Sequence, residues 1–166
     1  MGPSTEVEIL IGICEIAVAI AGFSGVVVVF GSRGEHGWHP GDRLRLGFLL
    51  ESSLTAGALS LLAVIALSLI EDRQTAWTVA SAAWASVMVV SLFSSSRRLQ
   101  VARAEHPDID EFANRVMFVV FAVLIMVELA NAVEWRAFGP VLVGLVMNLV
   151  GACTQFGRLI RSAFHD

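Results

Sequence analysis

Five long apolar stretches, Val7–Phe30, Leu44–Ile70, Thr75–Phe93, Phe112–Val133 and Phe138–Ile160, constrain what this sequence can fold into. Each is close to or above the roughly 20 residues with which an α-helix crosses a bilayer core. None alternates with period two, which excludes the strands of a barrel. Breakers or charges bound the stretches: Gly31 to Pro40 after the first, Glu71-Asp72-Arg73 after the second, Arg97-Arg98 after the third. Phe138-Gly139-Pro140 opens the fifth, with proline where a helix start tolerates it. The connections two–three and four–five are very short and predict two antiparallel hairpins. Composition agrees, with 56% hydrophobic and 16% charged residues and a mean hydropathy of +0.75; soluble domains carry about 25% charged residues. Disorder, nucleic-acid binding and a secreted disulfide scaffold are thereby excluded. The expected fold class is an all-α integral membrane protein, a single domain over residues 1–166 built as a bundle of five transmembrane helices.

Every basic side chain is an arginine, and nine of the eleven fall on one side of this topology. Arg33, Arg43 and Arg45 flank the first loop, Arg97, Arg98, Arg103 and Arg115 the third, and Arg158 and Arg161 the last helix end. Only Arg73 and Arg136 fall on the other side. The positive-inside rule then sets the N-terminus out and the C-terminus in, in a bacterial-type inner membrane. Trp77 and Trp135 sit at the expected outer interface and Trp38 at the inner one, while Trp84 lies deeper, as a packing residue. The first stretch reads as a retained helix rather than a signal peptide, because Glu6 and Glu8 replace a positive n-region and the apolar run is too long. Cys14 and Cys153 differ in expected depth by roughly 15 Å, too far for a disulfide.

Three carboxylates fall inside spans: Glu15, Glu51 and Glu128. A charge at the centre of a span costs about 2.5–3.5 kcal/mol, so such residues face protein or water. Glu15 and Glu128 count to roughly 8–12 Å below the outer surface and are expected to share one proton or cation site. Asn131, three residues after Glu128, extends that site outward on the same helical face. Asn148, Gly151 and Gln155 form one face of the fifth span, and Glu51 and Thr55 a short polar face of the second. Together these groups read as the lining of a route across the membrane. Glu8 and Glu15 share a face of the first span, which in a symmetric oligomer would ring an outer mouth. Against this stands close helix packing through Ala17-x-x-x-Ala21, Ala21-x-x-x-Gly25, Ala76-x-x-x-Ala80 and Ser81-x-x-x-Ala85. In that reading Asn148 and Gln155 are interhelical hydrogen-bond partners, Glu51 pairs with Arg98, Arg115 or Arg158, and Glu15 and Glu128 are protonated.

Outside the spans, His36, His39 and Asp42 form a short His-x-x-His with a following acid, a weak divalent-metal pattern in a Gly/Pro turn. Asp42 also reads as an N-cap of the second helix, and Asp108 or Asp110 as a cap of the fourth. All four histidines lie outside the spans, so no haem held by a histidine pair is expected, nor any other cofactor. No nucleophile elbow, phosphate loop or Cys-x-x-Cys occurs, which points away from an enzyme. The expected function is a small homo-oligomeric channel or transporter moving protons or small cations. The alternative is a non-transporting scaffold or regulatory subunit acting through its helix faces.

Overall fold

The computed structural model describes residues 3–31, 40–105 and 111–163, helical throughout except at residues 70–72 and 136–137. Its α-helices are α1 (Pro3–Gly31), α2 (Pro40–Leu69), α3 (Arg73–Glu105), α4 (Glu111–Ala130) and α5 (Phe138–Ala163). A π-helical segment, Asn131–Trp135, joins α4 to α5. Each α-helix carries a stretch long and apolar enough to span a bilayer, from Ser4–Val26 in α1 to Phe138–Arg161 in α5. Among the described residues there is no strand. The chain is a multi-pass, all-helical membrane protein, in keeping with a solvent that leaves the backbone to satisfy its own hydrogen bonds.

Two helices run further than their apolar stretches. α3 continues past Phe93 to Glu105, because Ser94 to Ala104 contains no proline or glycine and is rich in arginine, leucine, glutamine and alanine. α2 starts at Pro40, with proline in its first turn. Asp42 is therefore not a cap but a first-turn residue, and it accepts a hydrogen bond from Arg45 Nη1 at 2.8 Å. His36, His39, His106, His165, Trp38, Asp108 and Asp110 lie outside the described residues.

Packing follows helical stripes. α1 turns Glu6, Leu10, Ile13, Ala17 and Ser24 inward, against α2 and α5. α4 buries Phe121, Ile125 and Glu128, and the π-helical segment buries Asn131. α5 packs against all four other helices. Buried alanines at 17, 56, 63, 76, 80, 85 and 152 let the backbones approach closely. Hydroxyls at Ser24, Ser60, Ser86 and Thr154 donate back to a carbonyl one turn earlier and need no partner helix. Trp77 is buried against Phe138, ring centroids 5.1 Å apart, so it anchors the helix ends to each other rather than to the interface. Trp135 is exposed. Both cysteines are free.

The two short turns are fixed by side chains. At the start of α3, Asp72 accepts from the backbone N–H groups of Thr75 (3.0 Å) and Gln74 (3.3 Å) and from the Thr75 hydroxyl. These bonds, the Thr75 hydroxyl foremost, hold its carboxyl below the ordinary value of 3.8. At the other turn, Asn131 Nδ2 donates to Ala137 O (2.9 Å) and to Ser81 Oγ (2.7 Å), while its Oδ1 accepts from Ala137 N (3.0 Å). Arg136 has left-handed backbone, φ 49°, and its N–H closes the π-helix on Asn131 O at 2.8 Å. The N-terminus of α1 is tied to the start of α3 by an ion pair between Glu6 and Arg73.

Two outcomes follow. Asn131→Ala removes three hydrogen bonds at a buried turn and is expected to cost about 2–3 kcal/mol in detergent unfolding titrations. Because its pKa is depressed in the fold, Asp72 stabilises above pH 3.8, and that contribution is lost as the pH falls from 3.8 through the lower folded value. The melting temperature of the natural chain should therefore drop more steeply in this window than that of Asp72→Asn, whose amide still caps at every pH.

Candidate functional site

The polar residues inside the bundle fall into two groups joined along one face of α5. Gly144, Asn148, Gly151 and Gln155 repeat at i, i+4, i+7 and i+11 on that face. This row covers roughly 16 Å of helix at 1.5 Å per residue. All four residues are buried.

At the Gly144 end sits Glu128, 1% exposed. A Cβ placed on Gly144 would lie 3.0 Å from Glu128 Oε1, 3.0 Å from Trp84 Nε1 and 2.8 Å from Trp84 Cε2. The carboxyl group and the indole therefore rest on bare α5 backbone, in space that only glycine leaves open. Neither oxygen of Glu128 completes a hydrogen bond among the described residues, and neither does Trp84 Nε1. The Ser81 hydroxyl is a neighbouring polar group of Glu128. Its oxygen already accepts from Asn131, which leaves its proton free to turn toward the acid. A buried acceptor and a buried donor, Glu128 and Trp84, thus face one spot without satisfying each other.

At the Gln155 end, α2, α3, α4 and α5 line a half-open cavity of about 90 Å³. Glu51, Ser52 and Thr55 line it from α2, Ser91 and Ser95 from α3, and Asn148 and Gln155 from α5. Phe48, Phe118, Phe121, Met88 and Met117 supply the apolar walls. Glu51 Oε1 accepts from Ser91 Oγ at 2.6 Å, and Oε2 from Arg98 Nη1 at 3.3 Å. The Arg98 side chain is 57% exposed, so this pair stands at the margin of the bundle. Both amide atoms of Asn148 and Oε1 of Gln155 are buried without a hydrogen-bond partner among the described residues. Buried polar groups are nearly always bonded, so a cluster of exceptions on one helix face is a functional signal.

Of the residues singled out by sequence, the fold brings Glu51, Thr55, Asn148 and Gln155 into this one cavity. It also places Asn131 beside Ser81, near Glu128, though Asn131 is fully occupied in holding the α4–α5 turn. It does not bring Glu15 to Glu128. Glu15 and Glu8 are exposed on α1, and α1 packs on α2 and α5 whereas α4 packs on α3 and α5. The reason is angular: Glu15 is two residues from both Ile13 and Ala17, which puts it about 200° round the helix from the packing stripe. Of the metal pattern, only Asp42 is described, paired with Arg45. Glu51 pairs with Arg98 as one reading anticipated, and it also lines the cavity. Sequence reasoning missed Trp84, Ser81 and Gly144 around Glu128, and the serines of α3 in the cavity. For Ser91 and Ser95 a signal existed, an i, i+4 hydroxyl pair continuing the Trp84–Met88 stripe.

Gly144→Ala should destabilise the chain by about 1–3 kcal/mol through overpacking against the buried Trp84 ring. Gly22→Ala is the control: nothing lies within 4 Å of that added Cβ, so the same unfolding titration should show no loss. Comparison with family models finds no match, and no significant match to this chain occurs among curated proteins or solved structures.

Proposed function

We propose that this chain is a small channel or transporter that moves protons or small cations through the inside of its own bundle. Glu128 is the buried carrier site, and Glu51 stands at the far end of the path. The observation that carries this reading is the row of buried polar atoms that complete no hydrogen bond among the described residues, Glu128 Oε1 and Oε2, Asn148 Oδ1 and Nδ2, and Gln155 Oε1, on and against one face of α5. A core that needed only cohesion would be better served by apolar side chains at these positions. An acid placed beside glycine backbone, a serine hydroxyl and an amide row has the chemistry to take up and hand on a positive charge. In this reading the arginine-rich end faces the cytoplasm of a bacterial-type inner membrane, and Ser81 and Asn131 lie on the outer side of Glu128.

A second reading has its own observation. Glu15 lies on the outside of α1, and Gly12, Gly22 and Gly25 have open space around them. Such a surface suits helix–helix contact, either in a homo-oligomer or with another membrane protein that this chain would scaffold.

The test is proton and cation flux into proteoliposomes. Flux should fall at least tenfold in Glu128→Gln and in Asn148→Leu, and should persist in Glu15→Gln. Undiminished flux in Glu128→Gln would remove that residue from the path. Absence of flux from the natural protein, across pH and voltage, would favour the scaffold.

A further inference from the structure

We infer that the cavity between α2, α3, α4 and α5 is a binding site for a small organic cation of the alkylammonium class. This deepens the path reading above and rests on it for its place in the function, although binding itself is independent of flux.

Charge comes first. Among the described residues that line the cavity, Glu51 is the only ionisable one, and the cation that balances it, Arg98, stands at the margin and does not line the cavity. Its carboxylate has roughly four lone-pair sites, and the two bonds from Ser91 and Arg98 leave capacity for another donor. The Arg98 contact is long and exposed, which makes that side chain a displaceable partner.

Polar supply points the same way. Two side chains more than nine-tenths buried, Asn148 and Gln155, line the cavity with atoms that have no partner among the described residues. Gln155 Oε1 and Asn148 Oδ1 are both acceptors, and an ammonium group is a compact set of three donors with no acceptor.

The apolar walls then choose an organic ion over a bare metal ion. Phe48, Phe118 and Phe121 offer aromatic rings, and Met88 and Met117 offer thioethers. Rings attract a cation to their faces, and methionines mould to a small alkyl body. A hard inorganic cation would instead call for a shell of oxygens. Size sets the limit: a cavity of about 150 Å³ accommodates benzene, so one of about 90 Å³ holds an ion of about four heavy atoms. n-Propylammonium has that size.

The experiment is calorimetric titration and thermal shift of the purified full chain in detergent, with n-propylammonium, n-propanol and propionate as three probes of similar shape. n-Propylammonium should bind saturably and raise the melting temperature, and the alcohol and the anion should bind at least tenfold more weakly. Glu51→Gln and Gln155→Leu should each weaken n-propylammonium at least tenfold. Equal binding of all three probes, no binding of n-propylammonium, or full affinity in a folded Glu51→Gln protein would overturn the inference. The probe series on the natural chain decides the matter even where a variant does not fold. Proton flux that depends on Glu128 can stand or fall without changing this result, so failure here and failure of the path are distinguishable.

Discussion

Inside a bilayer a polar side chain has no water to fall back on, and the five helices are arranged around which of their polar groups the protein answers. Glu6 is answered by Arg73, Glu51 by Ser91 and Arg98, and Asn131 by Ser81 and the Ala137 backbone. The Glu6 and Asn131 bonds sit at a helix end and a turn, the Glu51 bonds cross between the bodies of α2 and α3, and together they hold α1, α2 and the α4–α5 turn against α3. Among the described residues, Glu128, Trp84, Asn148 and Gln155 keep buried unbonded atoms on or against α5, and Ser53 Oγ does so on α2. The contrast between a framework that is satisfied and a central row that is not separates cohesion from function in this molecule.

Gly144 is the hinge of that contrast. By bringing bare backbone up to Trp84 and Glu128 it lets a large ring and an acid occupy the same layer as α5. Any side chain there would push α5 away and open the acid to lipid. Two turns further along, Gly151 meets the same constraint more mildly: a Cβ there would lie 3.3 Å from the Met117 methyl and 3.6 Å from the Phe121 ring, so α4 also packs on bare α5 backbone.

Much of the fold was legible because hydrophobic length and short polar breaks are local properties of a sequence. The same holds for the cavity: Asn148, Gly151 and Gln155 share a face by spacing alone, and Glu51 and Thr55 share another, so their meeting required only that α2 and α5 be neighbours. The pairing of Glu15 with Glu128 failed for a reason also present in the sequence. Glu6, Leu10, Ile13 and Ala17 form the heptad-like stripe of α1, and Glu15 is off it. Azimuth round the helix decides who meets whom. The contact of Trp84 and Glu128 over Gly144 was not legible, since it depends on three helices at once. Nor was the role of Asn131, whose partner Ala137 comes within reach only through the π-helical turn.

The position of α5 also bears on how such a chain assembles. Chains leave the ribosome from the N-terminus, and the helix that touches all the others is the one that follows them. Until α5 arrives, the acid on α4 has no glycine wall to rest on and must enter the membrane exposed on one side. The short turn locked by Asn131 means that α4 and α5 reach the bilayer as a coupled hairpin. The hairpin shortens the interval in which Glu128 faces lipid, and biogenesis itself then depends on an amide that carries no charge.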